Sequence, residues 1–105
     1  MAKHRQTKAC EIPPRVKEAV YERDGHVCVL CERWADPSNA CAHFIPRKPH
    51  LGLGIEENIL TLCQDCHDAY DKTTRRKEIQ ERLRQYLKSK YPDWDEAKLI
   101  YHKYA

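Results

Sequence analysis

Glycine is scarce in this chain, with three in 105 residues, and there is one phenylalanine and one methionine. With 41% hydrophobic residues and so short a length, the attainable core is thin, and domains of this kind often need a metal or disulfides to supplement burial. No run of eighteen apolar residues occurs, so there is no candidate for a membrane-crossing helix. The Met-Ala-Lys-His-Arg start lacks the apolar stretch of a secretory signal. Nor is there a large excess of one charge: 19 Lys plus Arg stand against 16 Asp plus Glu, a net +3 that does not by composition announce a nucleic-acid binder. These absences lead to the expectation of one small cytoplasmic domain with no membrane partner.

Cysteine is what the chain has in quantity. In a reducing compartment, six cysteines point to thiolate metal sites before disulfides. Cys28 and Cys31 form one C-x-x-C, Cys63 and Cys66 a second, with a 31-residue spacer between them. Zn²⁺ takes four ligands in a tetrahedron at about 2.3 Å from each sulfur, and a C-x-x-C turn delivers two sulfurs to one side of the ion. Four thiolates close the shell, so such a zinc holds a fold and does no chemistry. A redox C-x-x-C of the thioredoxin kind needs a βαβ pattern, which this chain lacks. Cys10 and Cys41 stand outside the pairs and read as free thiols in or near the core.

Local signals divide the rest. Residues 1–12 are polar and basic, carry no periodic apolar pattern and read as a tail; Lys3, Arg5 and Lys8 make it a basic arm able to lie along a DNA backbone. Residues 14–23 place Val16, Ala19 and Val20 at helical spacing, with Pro14 at the start and Asp24-Gly25 as the stop. Residues 41–45 and 59–62 read as short strands joined by a loop containing Pro46, Pro49, Gly52 and Gly54. The second cysteine pair runs into a helix over 64–70. A longer helix to about residue 90, capped by Thr73 or Thr74, lines up Ile79, Leu83, Tyr86 and Leu87 on one face. Pro92 ends it, and Asp93 is the expected N-cap of a last helix with Trp94, Ala97, Tyr101 and Tyr104 as its stripe. Residues 13–71 are thus the expected core, and 72–105 a helical extension of the same domain.

Charge is uneven along the chain. Residues 72–90 hold eight Lys or Arg against two Glu, which makes Arg75 and Arg76 candidates for contacting a phosphate backbone. The plainer reading is a solvated face with i,i+4 ion pairs such as Glu78 with Arg82. Trp34 and Trp94 read as packing residues, and His50, in the inter-strand loop, carries no pattern that assigns it a role.

Between and around the cysteine pairs lie A-H-F-I-P-R at 42–47, E-N-I-L-T-L at 57–62 and C-x-x-C-H at 63–67. In this order and spacing the chain resembles the HNH endonucleases, in the subgroup where two C-x-x-C knuckles bracket the site with a structural zinc. The resemblance covers about residues 16–71. It implies an α+β fold, a zinc-stapled ββα-metal core with one helix before it and helices after it, and metal-dependent hydrolysis of DNA phosphodiester bonds; with so little chain outside the core, weak sequence preference is expected. By the same resemblance His43 is the general base, Asn58 fixes the loop and helps orient that imidazole, and His67 binds the catalytic divalent ion. Arg47 is a candidate contact to the scissile-strand phosphate. The chemistry asks for such groups independently: water needs a base near neutral pH, and the charge growing on phosphorus oxygens needs a cation.

One position departs from the family pattern. The residue before the base is usually Asp or His and ligates the metal, but here it is Ala42. Cys41 or Asp68 is then the expected further ligand, and Mn²⁺, Co²⁺ or Ni²⁺ would be favoured over Mg²⁺, since imidazole suits these softer ions. The alternative is a zinc-ribbon DNA-binding module without catalysis; a purely structural zinc subunit would leave His43, Asn58 and His67 without a role. A homodimer would turn single-strand nicks into double-strand breaks.

Overall fold

In the computed structural model, residues 5–38, 40–47 and 51–102 are described, with side chains from residue 8 onward. Helix α1 spans Arg5–Cys10 and α2 spans Pro14–Arg23; strands β1 (Cys41–His43) and β2 (Ile59–Thr61) follow, then α3 (Gln64–Lys72) and α4 (Arg76–Lys90). Single 3₁₀ turns occupy Glu56–Asn58 and Glu96–Leu99. The architecture is a small α+β domain around a two-stranded sheet. Among the described residues no helix is long and apolar enough to cross a membrane.

Pro14 opens α2 with its φ already helical, behind an extended Pro13. Val16 and Val20, one turn apart, are buried against Ile59 of β2, with Ile12 and Cys41 at the edge. The strands pair antiparallel, Cys41 opposite Thr61, Ala42 opposite Leu60 and His43 opposite Ile59. Because side chains alternate across a strand, Ala42 and Leu60 share the opposite face. There they join the larger core with Phe44, Leu62 and Tyr70, and with Ile79, Leu83 and Leu87 of α4. The apolar stripe of α4 is therefore what closes the second face of the hairpin.

A buried polar hub ties these layers together. Asp24 accepts from the Thr61 N–H (2.9 Å), the Tyr86 hydroxyl (2.6 Å) and the Arg23 guanidinium (2.8 Å). Arg23 in turn donates to the carbonyls of Glu56 and Ile59 and lies between the rings of Tyr86 and Tyr91. Arg-Asp at the end of α2 thus links that helix to β2 and to both ends of the last turn of α4. Thr61 Oγ1, fully buried on the same strand, is unpartnered among the described residues.

Several expectations are corrected. Within the expected tail, residues 5–12 are structured: α1 forms, Cys10 is 2% exposed, and the Gly54 N–H donates to the Ala9 carbonyl (3.1 Å), while residues 1–4 lie outside the described residues. The close approach is possible because Gly54 has no side chain; a Cβ there would stand 1.8 Å from the Glu11 oxygen. Lys3, the side chain of Arg5, His50 and Tyr104 lie outside the described residues. The last segment is not capped by Asp93; Asp95 accepts from the Ala97 N–H and caps one 3₁₀ turn, whose buried residue is Leu99. A helix does not continue because the chain turns extended to pair with the inter-strand loop, Leu53 N–H donating to Leu99 O and Tyr101 N–H to Leu51 O. Neither threonine is the N-cap residue of α4; Arg75 stands there, although Thr73 Oγ1 accepts its N–H (3.2 Å). Glu78 faces Arg75 rather than Arg82, which reaches back to the Leu30 carbonyl.

Candidate functional site

The first cysteine pair sits in a tight reversal after α2. Cys28 N–H donates to Arg33 O and Glu32 N–H to Cys28 O, and Glu32 takes a left-handed φ of 62° to close the turn. Cys63 stands at the N-cap position of α3 and Cys66 in its first turn. The sulfur atoms of Cys28, Cys31, Cys63 and Cys66 all lie within 4.8 Å of one another, with Cys31 and Cys63 Sγ 3.6 Å apart. Sulfurs at about 2.3 Å around one tetrahedral ion are separated by about 3.8 Å, so the cluster could hold a metal ion such as zinc. The Arg33 backbone N–H holds the Cys31 thiol down to about 7, whereas burial raises those of Cys63 and Cys66.

The same fold brings a second set of groups together. Cys41, Ala42 and His43 from β1, Pro46 and Arg47 from the following loop, and His67 and Asp71 from α3 line one hollow of about 170 Å³. His67 and Asp71 face each other because four residues is about one helical turn, and His67 Nε2 lies 3.0 Å from Asp71 Oδ2. Two ligands at about 2.1 Å and at right angles around one ion would stand about 3 Å apart, so this pair suits a shared divalent cation as well as a hydrogen bond. His43 is half-buried, and its Nε2 donates to the Cys10 carbonyl (3.0 Å). Burial lowers its pKa below the usual 6.5, aided by the nearby Arg47 and His67 and opposed by the Cys10 bond.

Of the residues singled out from the sequence, His43, His67 and Arg47 meet in this hollow, and Asn58 stands behind it. Asn58 is fully buried; its side chain accepts from the Ile45 N–H (2.8 Å) and donates to the carbonyls of Leu53 (2.8 Å) and Ile45. Its amide clamps the two ends of the inter-strand loop and makes no hydrogen bond to the His43 ring. Ala42 is buried in the core beneath. Arg47 is exposed and 3.8 Å from the Glu11 carboxylate. Arg76 stacks over the Tyr70 ring at 4.2 Å, donates to the Tyr70 carbonyl and lies 3.7 Å from Asp71. Arg75 pairs loosely with Glu78 at the surface.

Two groups escaped the sequence reading. Asp71, not Asp68, is the carboxylate on the His67 face; Asp68 is held by Gln64 and Lys72. The i,i+4 spacing from His67 was its available signal. The Cys10 carbonyl had none, since every residue type carries one. Trp34 also differs from expectation: it is 67% exposed, because a bridge to Val27 sets its backbone at the outer edge of the cysteine turn. A larger, mostly apolar hollow of about 360 Å³ beside Tyr91, Trp94 and Leu99 contains neither His nor Cys. No family model matches this chain, and no curated protein matches it.

Proposed function

We propose that the protein is a metal-dependent HNH-type endonuclease that hydrolyses DNA phosphodiester bonds, its fold stapled by zinc on Cys28, Cys31, Cys63 and Cys66. The observation that carries this reading is the shared hollow: an imidazole with a lowered pKa, an imidazole–carboxylate pair and an arginine converge from three segments. His43 accepts the proton of the attacking water, being neutral and therefore basic near pH 7. Arg47, with its fork of donors, holds a phosphate oxygen. His67 and Asp71 would hold the divalent ion, with Asp71 supplying from the helix the carboxylate that Ala42 does not supply from the strand. When bound, such an ion would stabilise charge on the phosphate and on the leaving 3′ oxygen, giving a 5′-phosphate product. The mixed nitrogen and oxygen set favours Mn²⁺, Co²⁺ or Ni²⁺ while leaving Mg²⁺ usable.

Ala42 favours a second reading, a zinc-ribbon module that binds DNA without turnover. Incubation with supercoiled plasmid across these ions, beside EDTA and His43→Ala controls, separates the two. Relaxed or linear DNA that depends on both ion and His43 supports the nuclease. Intact plasmid with every ion, together with a salt-sensitive gel shift, supports the binding module.

A further inference from the structure

The hollow of His43, His67 and Asp71 continues past Arg47. A second hollow of about 300 Å³ shares His43 and Arg47 with it and adds Glu11, Ile12 and Lys17. A third, also about 300 Å³ and mostly apolar, shares Lys17 with the second and Cys41 with the first. Its wall on α2 is the stripe Pro14, Lys17, Glu18 and Tyr21, spaced as one helix face beside the inward-facing Val16 and Val20. Pro37 and Ala40, from the segment leading into β1, complete it.

Lys17 is exposed, and its ammonium makes no ion pair or hydrogen bond among the described residues. It stands close enough to Cys41 for its charge to pull that thiol's pKa down against the upward push of burial. Arg47 pairs loosely with Glu11 at 3.8 Å. With Glu11 and Glu18 on the same walls there is no broad positive field, so an anion is attracted at one point, Lys17, a step along from a phosphate on Arg47. Each hollow is at the lower end of the roughly 300–1,000 Å³ of small-molecule sites, which is room for one nucleotide and not for a duplex.

We propose that the Lys17 face of α2 is a subsite for one unpaired nucleotide of the DNA strand being cut: Lys17 binds the phosphate next to the scissile one, and the apolar hollow beside Tyr21 and Pro37 takes the sugar and base. A base that enters a hollow walled by a helix leaves the duplex stack, so the site selects a nucleotide without a partner. The direction of the strand rests on the nuclease reading. Attack in line puts the leaving 3′ oxygen on the side of His67 and Asp71, away from His43. The nucleotide that runs past His43 to Lys17 is then the one on the 3′ side of the cut, which keeps the 5′-phosphate.

Fluorescence anisotropy of the zinc-loaded full chain, with no divalent ion added, on a single strand of about 12 nucleotides and on its duplex tests the site without turnover. Lys17→Ala, at an exposed helix position, should flatten the dependence of log affinity on log salt by about 0.7 for the single strand, the share of one phosphate contact. Pro37→Glu, which puts a carboxylate at the apolar hollow, should weaken the single strand by about 5-fold or more and the duplex far less. Lys98→Ala, at the separate hollow beside Trp94, should change neither. An unchanged slope in Lys17→Ala overturns the proposal, as does an equal loss of slope in Lys98→Ala or a Pro37→Glu protein that treats the two DNAs alike. With Mn²⁺, a duplex bearing a single-stranded 3′ extension should be cut at its junction phosphate faster than one bearing a 5′ extension; equal rates overturn the assigned direction. Single-strand binding that depends on Lys17 and Pro37 in a protein that cuts no DNA retires the nuclease reading and leaves the subsite standing.

Discussion

The four clustered cysteines come from two stretches of four residues each, whereas the hollow around His43 draws on β1, the loop carrying Arg47, helix α3 and, through a main-chain oxygen, the end of α1. The cysteine cluster uses one residue type, and each C-x-x-C brings its two sulfurs near each other through local turn geometry. The hollow brings together histidine, arginine and aspartate side chains whose proximity depends on strand register, helix docking and a buried asparagine. A cluster of the first kind is robust to distant change and intolerant of change within. One of the second kind is sensitive to residues that never touch its ligands.

That contrast can be broken most forcefully at the cysteines. Cys66→Ser is expected to abolish cooperative folding, seen as loss of the thermal transition in circular dichroism, because structural zinc binding supplies about 10–16 kcal/mol in small domains and is coupled to folding. A Cys66→Ser protein with a native melt would mean that the cluster does not staple the fold. His43→Ala should leave the melt almost intact while slowing cleavage by about 10²- to 10⁴-fold, measured under single-turnover conditions; equal losses in rate and stability would show that the two centres are not separable.

Smaller effects sharpen the comparison. Asp71→Ala should weaken the divalent ion by about 10- to 100-fold, read as the Mn²⁺ concentration for half-maximal rate, and Asp68→Ala should not move that concentration. At saturating Mn²⁺ the rate should rise with pH and level off, with a midpoint below about 6.5. Burial disfavours the charged imidazole, so the neutral, proton-accepting form persists to lower pH than in a free histidine. A midpoint above 7 would contradict burial as the governing influence. The smallest change is Trp34→Ser, expected to shift unfolding free energy by no more than about 0.5 kcal/mol in denaturant titration, since the indole is mostly in water.

Much of the scaffold is legible in the sequence. Helix α2 begins at Pro14 and ends at Arg23, as its proline, apolar spacing and Asp-Gly stop indicate. Ile79, Leu83 and Leu87 are buried along α4, as a 3.6-residue period requires. The strands fall inside the expected 41–45 and 59–62 at three residues each, and beyond β1 the Asn58 side chain takes the Ile45 N–H. The docking of residues 5–12 was not legible: the contacts that set its place beside Gly54 and His43 are made by main-chain carbonyls, which leave no pattern of side chains to read.

By itself, then, the sequence determined the two cysteine pairs, the boundaries of α2 and the apolar face of α4, because each depends on spacings of a few residues and on chemistry specific to a residue type. Only the tertiary structure decided that Cys10 lends its carbonyl to His43, that Asn58 clamps the loop and makes no hydrogen bond to the imidazole, that Asp71 and not Asp68 faces the hollow with Arg47, and that Trp34 stays in water. These depend on which surfaces meet after the helices dock on the hairpin. That meeting is governed by shape and by backbone groups common to all residues, so it is settled in space and not along the chain.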